Sequence, residues 1–302
     1  MPKQAIYYLG RILKINLTND KLLHALSSPS KVEGRGYLWT FINHKVFGKN
    51  NKILFVYGEL AKYVPTGEVE QVDEKKHASH NLEVDHQLMA QSPFVYIPEY
   101  SGIVYQHVWN KIEQKAFVQN FGKIISETFG KFFVECQIES VAEYLQFVRK
   151  LKTIKRISKL DATVHPPNPL FGRLWEKLRN YLKERELQEL SLKEQAKRDD
   201  RINSNLLEIL KGVTEEKLTQ ELLPQDIDIG DAVILMAADG YGKAKVEGYD
   251  GRRIIVIRTS DIIKSFKCDA KPDPEQLYKI AKGLFKDISK QRYMKHGEKP
   301  HS

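Results

Sequence analysis

The sequence has little cysteine, no long apolar run and no apolar leader. Its two cysteines, Cys136 and Cys268, lie far apart and match no metal-ligand spacing, as expected for ordinary thiols in a reducing compartment. No stretch approaches the roughly 18 apolar residues that a membrane-spanning helix needs. The opening Met-Pro-Lys-Gln also lacks the apolar segment of a signal peptide. We therefore expect a soluble, cytoplasmic protein that makes no membrane contact.

The motifs of common catalytic sites are also missing. There is no Gly-x-x-x-x-Gly-Lys-Ser/Thr phosphate loop, no Gly-x-Ser-x-Gly elbow, no His-Glu-x-x-His and no Gly-x-Gly-x-x-Gly. Glu-x-Lys, which can hold a nuclease metal ion, occurs three times in a chain rich in both residues, as chance would give. We predict no catalytic residue and no cofactor, and the sequence favours a protein that is not an enzyme.

A histidine-rich stretch is the one candidate for metal binding. Imidazoles and carboxylates lie close together here, and both ligate zinc. The members are His77, His80, Glu83, Asp85 and His86. Their spacing is loose and no cysteine accompanies them, so we predict a long polar loop over residues 65–91 and no metal site.

The order of apolar patterns predicts a mixed α/β (α+β) fold. Apolar runs predict strands at 5–17 and 52–64, an aromatic segment at 36–47 predicts a helix, and a β-hairpin surrounds the turn at 98–102. Helical and strand patterns then alternate up to residue 164. Three short runs at 232–238, 243–247 and 252–259, separated by Asp-Gly turns, predict a C-terminal three-stranded β-meander, and a helix follows at 274–288.

These patterns predict a mixed, largely antiparallel sheet with packed helices. We divide the chain into a mixed α/β domain at 1–182, a charged helical connection or arm at 183–210, and the β-meander plus helix at 211–302. We expect the last part to pack on the first domain.

Positive charge is concentrated in two places. The net charge is +9, yet residues 149–159 alone hold six basic and no acidic side chains, and the last 21 residues hold six basic and two acidic. Localised positive charge is typical of phosphate contacts. A solvated basic face, part of which balances a helix dipole, is the alternative. The predicted phosphate contacts are Lys150, Lys152, Lys155, Arg156 and Lys159, with Arg292 and Lys295 in the tail.

Basic and aromatic residues also alternate through the predicted meander. Cations beside aromatic rings suit single-stranded bases, whereas an ordinary sheet surface is the alternative. The basic members are Lys243, Lys245, Arg252, Arg253 and Arg258, with Tyr241 and Tyr249 at the turns. We include Arg252 and Arg253 in the predicted nucleic-acid interface.

Two passages carry a resemblance to a known family. One is Thr-Val-His-Pro-Pro-Asn-Pro at 163–169, and the other is Met-Ala-Ala-Asp-Gly-Tyr-Gly at 236–242 with Gly-Tyr-Asp-Gly at 248–251. On these passages the chain is similar to an uncharacterised group of bacterial proteins that share a domain of unknown function and are sometimes found among phage-defence genes. The resemblance implies a bacterial, cytoplasmic component of a defence system, and it implies no catalytic residue.

The leading hypothesis is therefore a non-enzymatic component that binds or senses nucleic acid, either DNA or RNA. Two alternatives stay open. One is a metal-dependent nuclease whose carboxylates come from distant segments. The other is an assembly protein whose charged segment 183–201 forms a homo-oligomer or docks a partner protein.

Overall fold

The computed structural model describes residues 3–50, 52–73, 77–130, 134–165, 170–172, 176–197, 200–215, 227–292 and 294–296. All strand pairs in these ranges are antiparallel, and helices pack against the two larger sheets. The predicted mixed α/β fold is confirmed. The strands are β1 (Gln4–Ile15), β2 (Val32–Gly34), β3 (Tyr37–Lys49), β4 (Lys52–Tyr63), β5 (Thr66–Asp73), β6 (Ala78–Asp85), β7 (Leu88–Ile97), β8 (Gly102–Gln106), β9 (Glu135–Ser140), β10 (Arg156–Val164), β11 (Leu170–Gly172), β12 (Leu190–Gln195), β13 (Gly242–Asp250), β14 (Arg253–Arg258), β15 (Ser265–Asp269) and β16 (Met294–His296).

The helices lie mostly between the strands. They are α1 (Asn19–Ser27), α2 (Gln114–Thr128), α3 (Tyr144–Leu151), α4 (Glu176–Glu184), α5 (Leu206–Thr214), α6 (Ile229–Met236) and α7 (Pro274–Gln291). Short 3₁₀ turns occupy Pro98–Tyr100 and Thr259–Asp261, and a π-turn follows α6. Among the described residues, no helix combines the length and apolar character needed to span a membrane.

The larger sheet runs in the order β15-β1-β8-β7-β4-β3-β2, and β9 also pairs with β1. Its predicted hairpin is confirmed, because β7 and β8 pair across the turn at 98–102. Helix α2 packs on one face through the apolar stripe that its spacing predicts. Phe117 and Phe121 contact the strand residues Phe41 and Phe94, and all four rings are buried.

The smaller sheet has the order β12-β10-β13-β14. Helix α6 lies against its inner face, and Gly230 to Met236 of that helix are all buried. Leu160, Val164 and Val246 point from the strands into the same core. Helices therefore cover the inner face of this sheet, and side chains that alternate with the buried ones must point outward.

Two segments have a different secondary structure from the one their sequence predicts. The aromatic segment at 36–47 is not a helix but strand β3, in which Trp39 and Phe41 are buried and their neighbours are more exposed. Conversely, 232–238 is not a strand but belongs to α6 and the π-turn. Short apolar runs look alike as buried strands and buried helices, so periodicity alone cannot separate them. The predicted meander is therefore the hairpin β13–β14, without the first strand.

Two segments predicted to be irregular or helical contain strands. Residues 65–91 include the ribbon β5–β6, and the charged segment 183–210 includes β12. Leu190 and Leu192 alternate with exposed polar residues in β12, which is a strand pattern that the high charge obscures. The smaller sheet takes β10 from 1–182, β12 from 183–210 and β13–β14 from 211–302, so all three sequence segments share it.

Gly242 allows β10 and β13 to approach each other closely. A Cβ atom at this position would collide with the carbonyl oxygen of Thr163 and crowd the Cα of Val164, which are backbone atoms that cannot rotate away. We expect Gly242→Ala to lower the free energy of unfolding by roughly 1–3 kcal/mol, the usual cost of overpacking. Urea denaturation measures this. Gly283→Ala is the control, since a Cβ there meets nothing within 4 Å, and equal effects of the two substitutions would contradict the prediction.

Candidate nucleic-acid interface

The outer face of the smaller sheet presents polar and basic side chains to solvent. Fourteen residues form this face, which we call the outer face. They are Arg156, Lys159, Asp161 and Thr163 of β10; Ser191, Lys193 and Gln195 of β12; Lys243, Lys245, Glu247 and Tyr249 of β13; and Ile254, Val256 and Arg258 of β14. All fourteen are exposed or half-exposed, whereas alternate residues such as Leu160 and Val246 are buried.

The strand register arranges these residues in rows across the sheet. One row joins Lys193, Asp161, Lys245 and Arg258, and the next joins Gln195, Lys159, Glu247 and Val256. Residues directly opposite each other on antiparallel strands lie about 5 Å apart. Basic groups from all four strands therefore stand within one continuous surface.

Positive charge exceeds negative charge on the outer face, with six basic and two acidic residues. Both carboxylates form ion pairs with lysines of the same face. The Lys159 ammonium lies 3.6 Å from Asp161 and 3.7 Å from Glu247, and the Lys245 ammonium lies 2.7 Å from Glu247. The hydrogen bond from Lys245 lowers the pKa of Glu247, so this carboxylate stays ionised at neutral pH. The outer face itself therefore has a net positive charge, although Lys243 and Arg258 also lie near Glu139 and Asp261 beyond its edge.

We call the row of Lys193, Asp161, Lys245 and Arg258 the central row. Its most exposed cations are Lys193 and Arg258. Lys193 is exposed, and within the described residues it forms no ion pair. The side chain of Arg258 is 56% exposed and its Nη1 lies 3.8 Å from Asp261, a distance typical of a weak surface pair. Arg258 also lines a shallow depression of about 240 Å³, together with Thr163, Lys243, Lys245 and Ser260.

The other end of the outer face carries an aromatic ring and two aliphatic side chains. The guanidinium carbon of Arg156 lies 4.9 Å from the centre of the Tyr249 ring. Ile254, opposite Tyr249, is 60% exposed, and Val256 is also exposed. An aromatic ring beside a cation provides a surface on which the planar ring of a base can stack.

The structure brings five residues of the predicted nucleic-acid interface to the outer face or its rim. Arg156 and Lys159 lie on it. Lys155, Arg252 and Arg253 lie at its Tyr249 end, near the β13–β14 turn. There the Lys155 ammonium is 2.9 Å from Asp250, which stands opposite Arg253 in the strand register. The charged group of Lys155 is therefore already partly neutralised.

The remaining predicted contacts lie elsewhere. Lys150 and Lys152 are at the end of α3, where the Lys150 ammonium donates to the carbonyl of Asp261 at 3.5 Å. The backbone of Lys295 is in β16, and its side chain lies outside the described residues. Arg292 is only 3% exposed and pairs with buried Asp239, so the prediction that it contacts nucleic acid is wrong for this structure. Tyr241, predicted at a turn surface, is also buried.

Arg292 belongs to a buried polar cluster that ties the two sheets together. Asp239 forms an ion pair with Arg292 and accepts a hydrogen bond from the Tyr144 hydroxyl at 2.9 Å. The Arg11 Nε donates to the Asp239 carbonyl at 2.8 Å, and its Nη1 donates to the Tyr100 carbonyl at 2.6 Å. Residues from β1, α3, the π-turn and the end of α7 thus meet at one point, which makes this cluster structural.

A groove of about 700 Å³ lies beside the outer face, between α2, β2 and β9. Lys243 stands at its border, 3.2 Å from the buried carboxylate of Glu139. Burial raises the pKa of Glu139, and the charge of Lys243 opposes this rise. Three lysines and four glutamates line the groove, so unlike the outer face it offers no surplus positive charge.

Sequence reasoning missed Lys193 because the segment around it was interpreted as a helical arm. The alternation of Leu190 and Leu192 with polar residues is the signal that could have placed it on a strand.

The histidine-rich stretch lies on and around the ribbon β5–β6, and within the described ranges no group of three His, Cys, Asp or Glu side chains could hold a metal ion.

These features define an antiparallel α/β protein with an open, basic sheet face. The chain belongs to the family described as Domain of unknown function (DUF4747), whose profile matches residues 20–215. No curated protein matches the chain. The resemblance to a family of unknown function is thus confirmed at that level. The matched region contains β10 and β12 but ends before β13 and β14, which supply half of the outer face.

Proposed function

We propose that this protein binds single-stranded nucleic acid on the outer face of its smaller sheet. The observation that carries the proposal is the surplus of cations on an open four-stranded face, six basic against two internally paired acidic residues. Phosphate contacts supply most of the affinity for nucleic acid, and lysine and arginine make them.

Tyr249 and its neighbours favour a single strand over a duplex. The bases of a single strand are free to stack on an aromatic ring, which contributes about 1–3 kcal/mol per base. Tyr249 has Arg156 beside it and the exposed Ile254 opposite. A duplex keeps its bases stacked inside, so it could use only the cations.

The wider role is part of the same proposal. The resemblance to bacterial proteins found among phage-defence genes supports a cytoplasmic defence component that senses nucleic acid. In this proposal, binding alone serves the role and the nucleic acid is not cleaved.

Binding measurements across a salt series test the proposal. Labelled single-stranded DNA and RNA, longer than the roughly 4–16 nucleotides that one such surface covers, are compared with duplexes of the same sequence by fluorescence anisotropy. We expect tighter binding of the single strands, and a logarithmic affinity that falls with the logarithm of salt by about 0.7 per phosphate contacted.

Two results would contradict this function. One is the absence of binding at about 50 mM salt, where electrostatic contacts are strong. The other is an affinity that does not change with salt. The same oligonucleotides are incubated with Mg²⁺ or Mn²⁺, and we expect them to remain intact; cleavage would favour a nuclease instead.

A further inference from the structure

The ribbon β5–β6 is a separate two-stranded sheet whose described side chains are exposed on both of its faces. It continues the β4–β7 pair through hydrogen bonds from Val64 to Gln87 and from His86 to Pro65, and it then forms a separate two-stranded sheet. Strands of eight residues extend about 26 Å. Apart from Gly67, the residues of this ribbon whose side chains are described are exposed. A two-stranded ribbon is only marginally stable by itself, so a partner surface would stabilise it.

The two faces of the ribbon differ in chemistry. The register places Glu68 opposite Glu83 and Glu70 opposite Asn81, so these carboxylates share one face with Asp85, while Leu82 and Val84 lie on the other. We call the first the acidic face. Like charges directly opposite each other destabilise a strand pair. The hydrogen bond from Asn81 to Glu68 at 3.0 Å relieves this only in part, whereas a cationic partner would relieve it directly.

The chain itself carries a surface of matching chemistry. We propose that the acidic face of the ribbon in one copy docks on the outer face of the smaller sheet in a second copy. Four carboxylates of the ribbon would meet the surplus cations of the outer face, including Lys193 and Arg258, which have the most solvent access in its central row. Four strands spaced about 4.8 Å apart make a face wide enough to accept a two-stranded ribbon.

This contact is head-to-tail, because each copy offers a ribbon on one side and a sheet face on the other. Such contacts build open chains or closed rings that grow with protein concentration. The docked ribbon occupies the surface to which we assign nucleic acid. The regulatory part of the inference, competition between ribbon and nucleic acid, therefore rests on the proposed function, whereas the self-association does not.

Sedimentation of the full chain measures the association. At low salt we expect the mass of the wild type to rise with concentration, and at about 0.5 M salt, where screening is strong, we expect a monomer. The ribbon variant carries Glu68→Gln, Glu70→Gln, Glu83→Gln and Asp85→Asn, and we expect it to stay monomeric. The control carries Leu82→Ser and Val84→Thr on the opposite face of the same ribbon, and it should associate as the wild type does.

Mixing two variants tests the head-to-tail geometry. The face variant carries Lys193→Gln, Lys245→Gln and Arg258→Gln, and alone it should be monomeric. Its intact ribbon can still dock on the intact outer face of the ribbon variant. We therefore expect an equimolar mixture to form dimers and nothing larger. A monomeric wild type, association of the ribbon variant, loss of association in the Leu82 and Val84 control, or a mixture that stays monomeric would each overturn the inference. Circular dichroism verifies that all variants are folded.

Nucleic-acid binding distinguishes failure of the inference from failure of the proposed function. At concentrations where the wild type associates, the ribbon variant should bind single strands at least 3-fold more tightly, because no ribbon competes. Equal affinities of the wild type and the ribbon variant for single strands would contradict competition between the ribbon and nucleic acid. If neither the wild type nor the ribbon variant binds nucleic acid while the sedimentation results hold, the proposed function fails and the self-association stands.

Discussion

Replacing Asp239 by alanine is expected to lower the free energy of unfolding by about 3–5 kcal/mol, the cost of removing one partner from a buried ion pair. Asp239 is fully buried, and Arg292, its ion-pair partner, is 3% exposed. Without the carboxylate, the partners that the described residues offer the buried Arg292 guanidinium are the carbonyl of Ala142, at 3.4 Å, and the ring of Tyr144. Denaturation by urea at neutral pH measures the loss.

Three further variants make this prediction specific. Asp250→Ala removes an exposed carboxylate that pairs with exposed Lys155, and it should leave stability almost unchanged. Tyr144→Phe removes one hydrogen bond to Asp239 and should cost about 1 kcal/mol. Asp239→Leu combined with Arg292→Met removes both charges and should recover much of the loss. If Asp239→Ala is as stable as Asp250→Ala, the buried cluster is not the structural link that we describe.

Neutralising the outer face should produce the largest change in nucleic-acid binding. The face variant, with Lys193→Gln, Lys245→Gln and Arg258→Gln, loses three of the six basic groups without changing the buried side of the sheet. We expect its affinity for single strands to fall roughly 10- to 100-fold at low salt, and its salt dependence to fall by about 2 in logarithmic slope, since each phosphate contact contributes about 0.7.

A control with the same change in net charge is available in the larger sheet. Lys45, Lys49 and Lys52 are exposed near the β3–β4 turn, and their replacement by glutamine removes three charges away from the outer face. We expect this triple variant to bind within about 3-fold of the wild type, since charges away from the outer face act on the bound strand only through the screened general field. Equal losses in both triple variants would mean that binding depends on net charge and not on the outer face.

The sequence predicts strands well where polar and apolar residues alternate strictly. Residues Leu160, Ala162 and Val164 of β10 show this pattern, and the structure buries all three. The same reasoning fails for helix α6, because its residues 232–236 are all apolar and buried and so show no period to detect. The prediction from alternation fails for strand β12 for the opposite reason. Its many charged residues mask the pattern of the two leucines that face the core.

The candidate site could be predicted only in part, because a run of charges crosses two kinds of secondary structure. Lys150 and Lys152 follow the helical geometry of α3 and lie off the outer face, whereas Arg156 and Lys159 follow β10 and lie on it. Arg292 illustrates a different limit: a tail arginine resembles every other surface arginine until Asp239, more than fifty residues away, is known to face it. Pairing across such distances is tertiary information.

The position of Arg292 has a consequence for synthesis of the protein on the ribosome. Gln4 of strand β1 pairs with Asp269 of β15, 265 residues later in the chain, and Asp239 pairs with Arg292, which is made later still. Strand β1 must therefore wait, with residues Gln4 to Tyr8 unpaired along one edge, until β15 has been synthesised. Native contacts between such distant parts of a chain form slowly and leave nascent intermediates prone to aggregation. For this protein, chaperone assistance during translation should matter more than the number of residues alone suggests.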